Sequence, residues 1–240
     1  MIYPQWPAPA NVRAVSTTRE GGASGPPYDS LNLAGHVGDA AAAVQENRRR
    51  LYRQLSLPAE PFWLEQVHGI RVVEAGGSAP QPSADASFSR CPGAVCAVMT
   101  ADCLPALFCD LDGSVVAAAH AGWRGLAGGV LEATVAALDV DPARLLAWLG
   151  PAIGPGAFEV GAEVREAFLA GHPQAAAAFV AQPDGRWLAD LYRLAGIRLR
   201  AAGVTAIHGG GFCTYSERER FYSFRRDRVT GRMASLIWLD

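Results

Sequence analysis

Four short stretches of this chain carry side chains able to do chemistry. They are LEQVHG with His68, ADASF with Asp85, TADCLP with Asp102 and Cys103, and HAGWRGLAGG with His120 and Arg124. Asp112-Gly113 stands between the apolar runs ALFCDL and SVVAAAH, a strong signal for a tight hairpin. A two-residue turn there sets position 105 opposite His120 and leaves Cys103 just beyond, at the same strand mouth. Pro105 cannot donate to a ladder, so pairing is expected to stop at it. His68 sits in a strand–Gly–strand break, where a His taken alone is more often a turn residue than a ligand. Two imidazoles and a thiol on strand ends are the donor set of an open catalytic zinc site. They are equally the set of a trigonal copper site, with Met99 as axial ligand.

The stretch from His120 to Gly129 has two readings. In one, a helix start after His120 offers free N–H groups and Arg124 binds an oxyanion bidentately. In the other, Gly122, Gly125, Gly128 and Gly129 allow close helix–sheet packing and Arg124 is a surface residue. Both stand on the sequence.

The elements that must position these groups follow from periodicity. Residues 39–57 predict a helix with Asp39 as N-cap. Residues 125–138, 161–171 and 190–203 predict three more, the last two closing on Gly. PFWLEQV and IRVVEA are strand-like around His68-Gly69, and GAVCAVM, ALFCDL and SVVAAAH are short buried strands. FYSFRRD and MASLIWLD predict a final strand pair across RVTGR. Residues 75–90 read as a loop long enough to be functional. Strands and helices mix without a regular βαβ rhythm, so the expected fold is α+β, one domain over 1–240 with a mixed sheet. His36, His172 and His208 fall in polar or Gly-rich loops and are expected to be solvated, with His36, in AGHVGD, also a candidate to lie near a site.

Composition removes several classes. All 21 basic residues are Arg. A Walker loop and Schiff-base chemistry both need a lysine, so neither is available. A net charge of -2 gives no nucleic-acid or membrane surface. No apolar run reaches the length of a membrane span. The N-terminus lacks the charged and apolar regions of a signal peptide. The five Cys are odd in number and form no C-x-x-C, which argues against disulfides. The expectation is a soluble cytoplasmic protein.

The motifs STTREGGAS, SLNLAGHVGD, LEQVHG, ADASF, TADCLPALFCD, HAGWRGLAGG, LGPAIGPGAFEVG and FYSFRRDRVTGR occur in this order. Together they resemble the YfiH-like family, also described as laccase-like multicopper polyphenol oxidases and as peptidoglycan editing factors. Its members include zinc-dependent purine nucleoside phosphorylases. The resemblance runs from about residue 12 to the C-terminus. It implies an α/β/β/α architecture like that of cysteine-hydrolase-type toxins, and one zinc bound by His68, Cys103 and His120. It further implies phosphorolysis of adenosine, inosine and methylthioadenosine, with adenosine deamination as a side activity.

The family's other labels weigh differently on these residues. A multicopper centre needs clustered His pairs, and this chain has five His and no His-x-His; copper in the zinc site is the remaining form of that reading. Removal of a misincorporated serine from a peptidoglycan precursor suits a Cys-His hydrolase, but a metal-bound thiolate is not a free nucleophile. A non-enzymatic metal-binding module is a third class. For a nucleoside enzyme the expected partners are a purine nucleoside and phosphate. Arg124, Arg19 and Arg225 are the candidate anion holders. Asp85 and Asp102 are candidate acid–base groups or partners that fix a ligand imidazole. Trp123 or Phe224 can stack on a purine, or belong to the core.

Overall fold

Strand alternation sorts the apolar side chains of this protein into layers, described by a computed structural model for residues 1–76 and 81–240. The elements in chain order are β1 (Val12–Ser16), α1 (Ala41–Leu55), β2 (Val72–Glu74), β3 (Ala86–Ser89), β4 (Cys96–Thr100), β5 (Leu104–Asp110), β6 (Val116–Ala121), α2 (Trp123–Gly128), α3 (Val130–Ala137), β7 (Leu145–Leu149), β8 (Glu159–Val160), α4 (Ala162–Leu169), β9 (Phe179–Ala181), β10 (Trp187–Ala189), α5 (Leu191–Ala201), β11 (Ala206–Gly209), α6 (Phe224–Asp227) and β12 (Met233–Leu239). Six strands form one mixed sheet in the order β11-β7-β5-β6-β3-β2, and β1-β12-β4 form a second, antiparallel sheet.

The period of two decides what each face touches. Leu104, Ala106 and Phe108 of β5 join Leu126, Leu131 and Leu199 in the core under α2, α3 and α5. Leu107 and Cys109 of the same strand meet Cys96, Val98 and Ile237 between the two sheets. Ala97, Met99 and Leu236 face the other way and pack with Leu51 of α1. Helices therefore cover both outer faces of two stacked sheets, an α+β fold with α/β/β/α layers.

The predicted hairpin register holds: Pro105 lies opposite His120 and Leu107 opposite Ala118. Pairing continues one residue past Pro105, to Leu104 and Ala121. Asp110 closes the connection by accepting from Ser114 N–H and Val115 N–H.

Several local expectations are corrected. FYSFRRD is not a strand; Ser223 caps the short helix α6, and β12 pairs instead with β1 and β4. The helix expected over 125–138 is two helices, because Gly129 takes φ +107° between them. That conformation breaks a helix and suits glycine alone. Asp39 does not cap α1; its carboxylate accepts from Ser24 and Asn32 instead. PFWLEQV contributes only the isolated bridges of Phe62 and Glu65. His208 stands in β11, half-buried, with Nε2 shielded from solvent and without a hydrogen-bond partner among the described residues. Of the loop read over 75–90, residues 86–89 form β3, and residues 77–80 lie outside the described residues. No described helix is long and apolar enough to cross a membrane.

Candidate metal centre

His120 follows Ala118 on the face of β6 that looks toward the second sheet, at the open end of the gap between sheets. Its side chain is buried, and Nδ1 lies 2.8 Å from Asp85 Oδ1. Asp85 is fully buried and binds more than the imidazole. Its carboxylate also accepts from the N–H groups of Val67, His68 and Gly69, at 3.2, 2.9 and 2.6 Å. His68 has φ +60°, a left-handed conformation that a non-glycine residue holds only when its surroundings enforce it. The carboxylate supplies that enforcement. One buried aspartate thus sets both imidazoles, which is how outer partners orient metal-ligating histidines.

Cys103 reaches the same point from β5. The residue before it, Asp102, has φ +89°. Thr214 Oγ1 donates to Asp102 Oδ1 at 2.6 Å, and the Arg225 N–H donates to Oδ2 at 2.6 Å. Ile153 N–H donates to the Asp102 carbonyl. Asp102 is therefore a tie between the β5 start and the C-terminal segment, with both carboxylate oxygens engaged. Cys103 Sγ lies 3.8 Å from His68 Nε2, and the two imidazole rings stand edge-to-face with centroids 4.8 Å apart.

One donor atom from each of His68, Cys103 and His120 lies within 4.8 Å of the others. With Zn–N near 2.0 Å and Zn–S near 2.3 Å, ligand atoms of a tetrahedral ion stand about 3.5 Å apart. The group fits a small ion after a shift of about 1 Å at its widest edge. The thiol suits one too. Burial raises the Cys103 thiol, but the charge and hydrogen bond of His120, with His68 behind, bring it down to about 6. Burial lowers His120, but the thiolate and Asp85 push it up to about 9. Burial likewise raises Asp85, and its His120 and backbone hydrogen bonds outweigh that and hold it below the usual carboxylate range. Three donors at the foot of an open cavity are the set of a catalytic site rather than a closed structural one.

The glycines next to His120 serve close approach. A Cβ on Gly122 would stand 2.6 Å from His68 Cδ2 and 3.1 Å from Cys103 Sγ; one on Gly125 would stand 2.8 Å from the Gly69 carbonyl. Gly122→Ala should therefore leave the fold in place and displace His68, lowering metal content measured by elemental analysis. Unchanged metal content in that variant would mean that His68 is free to move and is not a fixed ligand. Helix α2 is only six residues long, so any anion held here rests on Arg124 more than on the helix end.

A cavity of about 370 Å³ opens over the three donors. Its lining includes His36, Gln66, Thr100, Arg124, Phe224 and Arg232. Arg124 is exposed and stacks over the Trp123 ring at 4.5 Å. Phe224 is 47% exposed, so it belongs to the wall and not to the core. Gln66 pairs with both backbone groups of Met99, at 2.8 Å each, and locks the cavity wall to β4. Met99 itself packs in the core under α1. Both expectations for His36 hold: it is exposed and it lines the cavity, where partial burial with the nearby Arg232 and Arg48 cations lowers its pKa.

Arg19 and Arg225 are not brought to this cavity. Arg19 binds the Asp29 side chain and carbonyl and the Arg218 carbonyl, beside a different hollow. The Arg225 guanidinium donates to the Glu159 carbonyl and stacks over Phe158. Gln66 and Arg232 were missed by spacing arguments. Arg232 reaches the cavity only because Met233 pairs with Thr100 across β12 and β4.

With fold and site in view, the chain belongs to the family described as multi-copper polyphenol oxidoreductase laccase, which matches residues 13–240. It is 64% identical over 240 residues to a Pseudomonas aeruginosa protein named purine nucleoside phosphorylase, covering 100% of this chain and 98% of that one. It is 60% identical over 241 residues to purine nucleoside phosphorylase YfiH of Escherichia coli K12, with the same coverage. The crystal structure of a Neisseria meningitidis protein superposes with a TM-score of 0.95 at 53% identity, covering 100% of this chain and 98% of that one. YlmD from Geobacillus stearothermophilus gives 0.90 at 34% identity, covering 96% and 92%.

Proposed function

We propose that residues 1–240 act as one catalytic domain, a cytoplasmic zinc-dependent purine nucleoside phosphorylase acting on adenosine, inosine and methylthioadenosine. The carrying observation is the convergence of His68, Cys103 and His120 at the foot of a cavity that Arg124 lines. The relatives' shared name gives that geometry its substrate class. Five free cysteines fit a reducing compartment. Adenosine deamination is a minor activity of the same site.

In this reading Arg124 holds phosphate on one face of the ribose, and attack by a phosphate oxygen at C1′ breaks the bond to the purine. Phe224, an exposed ring on the cavity wall, carries the purine face. Asp85 keeps a proton on His120 Nδ1 and so turns Nε2 toward the donor group. Zinc, when bound, supplies Lewis-acid polarisation. Asp85 and Asp102 work as positioning residues, since neither carboxylate lines the cavity among the described residues. Copper takes the same three donors in an adventitious form. Among the described residues a single group of three donors converges, which supports one ion over a multicopper cluster.

Product analysis with adenosine tests this. Adenine and ribose 1-phosphate should appear only with phosphate and vanish on chelation. Inosine as the product with and without phosphate, and no adenine, would make the protein a deaminase, and release of serine from a peptidoglycan precursor with no adenine would make it the editing hydrolase. Arg124→Ala should raise the phosphate requirement about ten- to a hundredfold and the adenosine requirement much less, as expected for a lost charge-assisted contact. Unchanged phosphate dependence with zinc retained would reduce Arg124 to a surface residue.

A further inference from the structure

Two arginines line the cavity over the donor group, and no carboxylate lines it among the described residues. Such a wall is made for an anion. Arg124 is the exposed one of the pair, whereas Arg232 is half-buried. Arg232 forms no ion pair with any described acidic residue. One end of its guanidinium, Nη1, donates to the carbonyls of Thr230 and Gly231, both at 3.0 Å. The Phe224 ring backs the group at 5.8 Å. Its backbone N–H is fixed by Asn32 Oδ1. Nε and Nη2 have no hydrogen-bond partner among the described residues and are not sealed from solvent, and Arg232 lines the cavity.

We propose that Arg232 is the second phosphate-binding residue of this site, lining the same cavity as Arg124, and that it takes the anion-holding role that Arg19 and Arg225 are not placed to fill. This rests on the phosphorylase reading and deepens it. A guanidinium tethered at one end by its own turn has already lost most of its rotamer freedom, so little more is spent when an oxyanion arrives. Its free edge presents two parallel N–H donors, the fork that matches phosphate oxygens. The tether also separates the two arginines by task. Arg232 fixes where phosphate sits, while the exposed Arg124 meets it from the solvent side. Arg19 has Nε, Nη1 and Nη2 all committed, to Asp29 and to the Arg218 carbonyl, and Arg225 donates to the Glu159 carbonyl and does not line this cavity.

The test uses zinc-loaded protein with inorganic phosphate and adenosine. Arg232→Gln should raise KM for phosphate about ten- to a hundredfold and leave KM for adenosine within about threefold. Arg232→Lys, which keeps the charge and loses the fork, should recover part of that loss. Because Arg232 also ties down its own turn, a second measurement on the unmutated protein stands beside the variants. Phosphate should shield Arg232 from phenylglyoxal, read by peptide mass spectrometry, while Arg19 and Arg225 react equally with and without phosphate. Equal modification of Arg232 in both conditions would overturn the proposal, as would an unchanged phosphate KM in a folded Arg232→Gln protein. If the unmutated protein cleaves adenosine with no phosphate requirement, the phosphorylase reading itself fails, and the two failures are thereby told apart.

Discussion

Replacing Cys103 by serine, or His68 or His120 by alanine, should remove the bound metal and adenine release together. Each side chain offers one of only three donors at the site. Loss of an outer partner of a metal ligand already costs about ten- to a hundredfold in affinity. Loss of a ligand itself should exceed that, leaving well under one zinc per chain by elemental analysis after dialysis. The fold should survive, because the three side chains stand at strand ends and at a turn, outside the apolar layers that pack the sheets. Thermal unfolding of metal-free protein separates the two effects. A Cys103→Ser protein that keeps its full zinc while losing activity would take the thiolate out of the donor set. It would restore Cys103 as a free nucleophile beside an imidazole, the arrangement of a hydrolase.

Asp85→Asn should damage both stability and the site, more than its place outside the cavity suggests. The carboxylate is fully buried and receives four contacts: His120 Nδ1 and the N–H groups of Val67, His68 and Gly69. An amide keeps one acceptor oxygen and turns an NH₂ toward groups that are themselves donors. Breaking one side of a buried charged pair costs about 3–5 kcal/mol. For a domain of this size that is a fall of roughly 6–20 °C in melting temperature. The same change inverts His120. An amide N–H donating to Nδ1 moves the ring proton to Nε2, the atom that must accept a metal. Zinc affinity should therefore drop about ten- to a hundredfold even at temperatures where the variant is folded. An Asp85→Asn protein with normal melting and normal zinc would show that His68 and His120 are held by something other than this carboxylate.

What the sequence by itself determined is local. The Asp-Gly turn fixed the β5–β6 register, and with it the meeting of Pro105 and His120 and the nearness of Cys103. Turn chemistry and strand period act over a few residues, so they can be read without the rest of the chain. The helices α4 and α5 were legible for the same reason. The donor set was legible by residue type, and family resemblance gave it a role that spacing left open between zinc, copper and a nucleophile.

Tertiary structure decided the remainder. Asp85 accepts from a turn near residue 68 and from an imidazole at 120, and no short-range pattern links those positions. Arg232 enters the cavity through the pairing of β12 with β4, whereas FYSFRRD, which looked like the partner strand of β12, is turned into a capped helix by Ser223. Arg19 and Arg225 carry the same charge as Arg124 and Arg232. What divides them is where each guanidinium finds its hydrogen-bond acceptors. Arg19 finds its acceptors at Asp29 and Arg218 and Arg225 finds one at Glu159, all away from the cavity, while Arg232 is tied to its own turn at Thr230 and Gly231 and lines the cavity with Arg124. Long-range partners of that kind are set by the packing of two sheets against each other, because only the folded chain brings such distant segments within hydrogen-bond distance.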